Sequence, residues 1–93
     1  MPLQFSWDGR KAAVKNRKHD ISFSEAATAF RDPQSMTISD PDHSADEQRF
    51  LLIGRTCKQR LVVVAHVERG EITRIISARP AGRRERKTYE EGE

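Results

Sequence analysis

The sequence predicts an α+β domain: an N-terminal strand and two helices, then a curled antiparallel sheet and a C-terminal helix. Three observations lead there. Leu3, Phe5 and Trp7 alternate with Gln4 and Ser6, which is the period of a strand. Two breaker-free stretches, each opened by a capping residue, come next. After Pro33 the chain turns into short apolar runs separated by turn residues, the grammar of a sheet.

Element by element, Asp8 is placed to cap a helix over residues 10–18 that ends near His19-Asp20. Ser24 offers a second cap, followed by Glu25, Ala26, Ala27 and Phe30 in a short amphipathic helix, with Phe23 stapling its start. Asp32-Pro33 ends that helix, because the residue before a proline is pushed out of the helical region. Strands are expected at 35–39, 48–55, 60–69 and 71–79. The third is apolar at nearly every position from Leu61 to Val67, as a central strand covered on both faces would be. The connection through Gly70 is tight enough to fold the last strand back antiparallel. Pro80 and Gly82 close the sheet, and residues 83–91 form the final helix. The helices are expected against one face of the sheet.

Ninety-three residues make one domain, spanning 1–93, with no room for a second core. Apolar residues are only 35% of the chain, but they are concentrated in Phe50 to Ile53 and Leu61 to Val67. That concentration argues for a thin core under a charged surface rather than for disorder. A single cysteine, Cys57, excludes a disulfide framework and a zinc quartet. No run approaches a membrane span and Met1 to Trp7 lacks a signal-peptide core, so the expected location is the cytoplasm.

The net charge of +3 hides an asymmetry. Arg10, Lys11, Lys15, Arg17 and Lys18 make the first third basic, while Asp40, Asp42, Asp46 and Glu47 make the middle acidic. The C-terminal run is basic again, with Arg83, Arg84, Arg86 and Lys87. Two basic stretches that converge in space would face a polyanion, nucleic acid first; a solvated helix face is the plainer reading of the second. Arg79 leaves the last strand just before Pro80, where a guanidinium on a rigid support can grip a phosphodiester. His19, at the first helix's C-terminus, either caps the last carbonyls or serves as phosphate contact or proton donor. His66 lies inside the apolar strand and reads as a satisfied core histidine; His43 sits in a turn. Arg49 shares a strand face with Leu51 and Ile53, and either projects toward Arg79 or pairs with Glu47 or Glu68. Tyr89 either stacks on a base or packs on the sheet. Spacing with Pro41 and His43 makes the acidic middle a turn rather than a metal site, so no metal or cofactor is expected. RNA cleavage needs none: a base to take the 2′-OH proton, an acid for the 5′-oxygen, and cations for the phosphorane suffice.

Several stretches, in order, resemble a known family: F-S-W-D-x-x-K (Phe5 to Lys11), K-H with I-S-F-S-E-A (Lys18 to Ala26), D-P (Asp32, Pro33) and D-H-S (Asp42 to Ser44). R-F-L-L-I-G (Arg49 to Gly54), V-V-A-H (Val63 to His66) and R-I-I-S-A-R-x-A-x-x-x-E-R-x-x-Y-E (Arg74 to Glu90) complete the set. Together they are similar to the BrnT toxins of bacterial type II toxin–antitoxin modules. Asp20-Ile21 departs from the Gly-Val that members often carry after the histidine. The resemblance implies a ribonuclease of RelE-like fold, neutralised by a BrnA antitoxin with a ribbon-helix-helix domain. It implies too that operator DNA is met only through the toxin–antitoxin complex. Carried over, the functional set is Lys18, His19, Glu47, Arg49 and Arg79, with Arg83 and Arg84 as RNA contacts. The competing reading is a non-catalytic basic module that binds either nucleic acid or an antitoxin-like DNA-binding partner.

Overall fold

The computed structural model describes residues 4–11, 13, 19–40, 42 and 47–92. Five strands form one mixed sheet in the order β1-β5-β4-β3-β2: β1 Gln4–Ser6, β2 Met36–Ser39, β3 Arg49–Arg55, β4 Leu61–Arg69 and β5 Ile72–Pro80. Strands β2 to β5 are antiparallel, as expected, and each lies within a residue or two of its predicted bounds. β1 differs, joining the edge of β5 in parallel with Gln4 opposite Ile72. Gly70 adopts the left-handed φ of 64° that the two-residue loop between β4 and β5 demands. Opposite Ala65-His66, β5 carries one extra residue, Ile76, so its ladder steps from Ser77 to Ile75.

Of the helices whose residues are all described, two flank the sheet: α1, Phe23–Thr28, which tightens into a 3₁₀ turn over Ala29–Arg31, and α2, Arg83–Glu91. The cap of α1 is Ser22, not Ser24. Its Oγ accepts the Glu25 N–H at 2.9 Å, which places Phe23 inside the helix and buries it. Asp8 caps as expected, its Oδ1 accepting from the Arg10 and Lys11 N–H groups, and residues 9–11, 13 and 19 are helical. The rest of that expected helix, Lys18 included, lies outside the described residues, as does the D-H-S stretch from His43 onward.

Both faces of the sheet are covered, against the expectation of one. On the first, α1 and its 3₁₀ turn bury Phe23, Ala26 and Ala29 on Leu52, Val62, Val64, Ile75 and Ala78. The neighbouring side chains Ile53, Leu61 and Val63 point the other way and meet Tyr89 of α2. α2 has a single buried residue, Tyr89, so its charged sequence reads as solvated although one aromatic anchors it. The Tyr89 hydroxyl donates to Asp32 Oδ2 at 2.7 Å, and the same oxygen accepts the Arg55 N–H at 2.9 Å. Packing rather than base stacking is thus the role of Tyr89.

The first face holds its polar groups tightly. Glu25, only 5% exposed, accepts from Thr56 Oγ1 at 2.7 Å and from Arg60 Nε at 2.8 Å, with Arg60 Nη2 closing the pair. Arg60 Nη2 also donates to the Asp20 carbonyl at 2.8 Å, and Asp20 takes a left-handed φ of 57°. The carboxylate beside His19 therefore belongs to a local turn held by Arg60. His66 is buried between Phe30 and Phe50, with Nδ1 3.3 Å from the Val64 carbonyl, as a core histidine should be.

Candidate active site

Strand alternation sorts the candidate side chains. Arg49 follows Leu51 and Ile53 onto the second face and stands opposite Val67. Arg79 stands opposite Val63 on that face, and Arg74 stands opposite Val67 from the other side. Val67, between Arg49 and Arg74, is 3% exposed. Arg74, Val67 and Arg49 thus form a row across three strands, with Ser6 of β1 next to Arg74. Strand spacing sets the Cα atoms of Arg49 and Arg74 about 10 Å apart, and those of Arg49 and Arg79 about 16 Å apart. Arg49 and Arg79 grip one phosphate together only if both long side chains turn inward. Arg74, which the sequence reading did not single out, is the closer neighbour; its signal was the match of register across β4.

The candidates divide between the two ends of the sheet. At one end, Glu47 forms a two-point pair with Arg69, Nε to Oε2 at 2.9 Å and Nη2 to Oε1 at 3.0 Å. Arg69, with a smaller contribution from Arg49, holds the Glu47 carboxyl below its usual range. Of the two carboxylates considered as partners for Arg49, Glu47 is bonded to Arg69 and Glu68 to Thr73, with His66 Nε2 3.6 Å away.

At the other end stands Arg79. Its Nη1 donates to Glu85 Oε1 at 2.8 Å and its Nη2 to Glu85 Oε2 at 2.6 Å, while its side chain stays 42% exposed. Glu85 raises the Arg79 pKa further and is itself held below the carboxylate range, chiefly by Arg79. The same Oε1 accepts the Gly82 N–H at 2.7 Å, so Glu85 caps α2 while it clamps Arg79. Arg83 and Arg84 are exposed in the first turn of α2, where the helix dipole disfavours cations. His19 is half-buried, and its neighbour Asp20 is bonded through its carbonyl to Arg60 at 2.8 Å, beside Glu25 on the first face. Among the described residues, no hydrogen bond or ion pair joins His19 to Arg79, Arg49 or Glu47. Nor does any group of three His, Cys, Asp or Glu side chains gather there as a metal site. No described helix is long and apolar enough to cross a membrane. Cys57 is exposed in the β3–β4 turn, away from these groups.

Fold and face define a class first: a small α+β domain with arginines arrayed on one side of a mixed sheet. The family model described as the ribonuclease toxin BrnT of type II toxin–antitoxin systems matches residues 7–85, and the chain belongs to that family. The crystal structure of the Brucella abortus ribonuclease toxin BrnT is similar in fold, with a TM-score of 0.68 at 20% identity. The match covers 88% of this chain and all of that one. No curated protein matches the chain. The family read from the ordered motifs and the α+β architecture both hold.

Proposed function

We propose that the protein is the toxin of its module through endoribonuclease activity that needs no metal ion, and that it inhibits translation by cleaving RNA. One observation carries the reading: Arg79 stands half-exposed at the end of β5, on the sheet face it shares with Arg49 and Arg74 and beside the exposed Arg83 and Arg84. Cations at a helix start work against the dipole, a cost that an RNA phosphate seated there would offset. In the mechanism, the 2′-OH attacks the neighbouring phosphorus and the 5′-oxygen leaves. Arg79, with Arg49 approaching from the row beyond, stabilises the phosphorane. His19 or Lys18 moves the proton. Glu47 fixes Arg69 and its charge lies beside Arg49, ordering the far end of the face; Arg83 and Arg84 bind the flanking backbone.

A BrnA-type ribbon-helix-helix antitoxin neutralises the toxin in the cytoplasm by covering this face with acidic or apolar groups, and operator DNA is bound through the complex alone. The test is incubation of purified protein with RNA in EDTA at low ionic strength. Cleavage that Arg79→Ala slows by about 100-fold or more, as loss of a transition-state donor does, supports the proposal. Binding without cleavage favours a non-catalytic module, and cleavage abolished by EDTA overturns metal independence.

A further inference from the structure

We infer that Glu85 is a positioning residue for Arg79, turning the guanidinium so that its Nε–H edge is presented to an RNA phosphate; this rests on the ribonuclease reading. A guanidinium has five N–H donors arranged in two forks. Glu85 occupies the fork at the tip, one donor from Nη1 and one from Nη2, at 2.8 and 2.6 Å. The other Nη1 donor is turned to the Pro80 carbonyl at 3.3 Å. Among the described residues the side fork, Nε–H and the outer N–H of Nη2, meets no acceptor; these two donors point in parallel and match two oxygens of a phosphate. A phosphate can therefore bind Arg79 without displacing Glu85.

The clamp is itself anchored. Glu85 Oε1 accepts the Gly82 N–H at 2.7 Å, which ties the carboxylate to the first turn of α2. Arg79 is held at its other end by β5, paired with Val63. A long side chain fixed at both ends loses its freedom before the substrate arrives, which is what an arginine acting on a short-lived phosphorane requires. Because Arg79 keeps the Glu85 carboxyl ionised well below neutrality, Glu85 serves as counter-ion and not as proton acceptor.

Glu85→Gln retains an oxygen for the Gly82 N–H and weakens the clamp. At saturating RNA its single-turnover cleavage is expected to fall about 10- to 100-fold, as misplacement of a catalytic group does, while KM changes little and the thermal midpoint stays close to the parent's. Added to Arg79→Ala, the same substitution should cost nothing more. A faster Glu85→Gln enzyme would make Glu85 a latch that blocks Arg79, and an equal loss with and without Arg79 would make it a structural cap; either overturns the inference. Parent protein that cleaves no RNA would sink the ribonuclease reading alone. Positioning is then read from the Arg79 Nε–Hε resonance during titration with a 2′-O-methyl oligonucleotide. That resonance is expected to shift in the parent and to broaden or vanish in Glu85→Gln, and no shift in the parent overturns the positioning role.

Discussion

Glu25 shows how a charged side chain becomes part of a core. Its carboxylate is buried, yet Thr56 and Arg60 satisfy both oxygens and Lys58 stands 4.0 Å away. The bonds from Arg60 hold its pKa below the ordinary 4.5, against the opposing effect of burial. A carboxyl depressed in the folded state contributes stability that is complete above the unfolded value and is lost as pH falls through the folded one. Thermal midpoints should therefore fall as pH drops below about 4.5, and Glu25→Gln should flatten that decline. Asp32 follows the same rule: burial works against its ionised form, and bonds from Tyr89, Arg55 and Gln34 outweigh it. Tyr89→Phe removes a 2.7 Å bond to a charged acceptor and should cost about 1.5–2 kcal/mol in urea unfolding. Neither network was legible beforehand. Glu25 meets Thr56 and Arg60 across 31 and 35 positions, and Tyr89 meets Asp32 across 57, while the signals in a sequence are local.

At the scale of elements, the 3₁₀ turn after α1 sits directly on β3, and Gly54 is what lets it. A Cβ on Gly54 would stand 2.9 Å from the Ala29 carbonyl oxygen and 3.1 Å from Ser35 Cβ, and the backbone there has no room to give. Gly54→Ala should destabilise by about 1–3 kcal/mol, the usual cost of overpacking, read as a lower denaturation midpoint. His66 adds a second pH response from the middle of β4. Burial lowers its pKa from 6.5, outweighing the Val64 carbonyl and Glu68. The imidazole is thus buried neutral, and its share of stability is lost as pH falls below about 6.5. His66→Leu should remove the part of the pH slope between about 7 and 5. The strands were easy to find because alternation and turn residues mark them within a few positions. The two-sided sheet was not: α2 offers a single aromatic among charges, and one buried residue leaves no periodic stripe to read. For the same reason Arg79 was visible as a strand-end cation while its clamp, Glu85, passed for one more charge on a helix.

For the whole molecule, the charge that drew attention in the sequence is ordered by the sheet and not by the chain. Arg49, Arg74 and Arg79 come from β3 and β5, and β4 sets their spacing. Binding of a non-cleavable RNA should weaken with salt, and Arg74→Ala should reduce the slope of log K against log salt by about 0.7 if its phosphate belongs to a single strand. An unchanged slope would remove Arg74 from the RNA path. Antitoxin addition should abolish that binding in proportion to the complex formed, measured by fluorescence anisotropy. The parallel strand β1 has a consequence of another kind. Among the described strands it comes earliest in the chain and its partner β5 latest, so the Ser6–Arg74 contact spans 68 positions. Closing so wide a loop is slow, so the pairing of β1 with β5 is expected to follow the local hairpins. The arginines are thus aligned by the short-range β3–β4–β5 pairing, and the edge beside Arg74 is closed afterwards by a slower, long-range step.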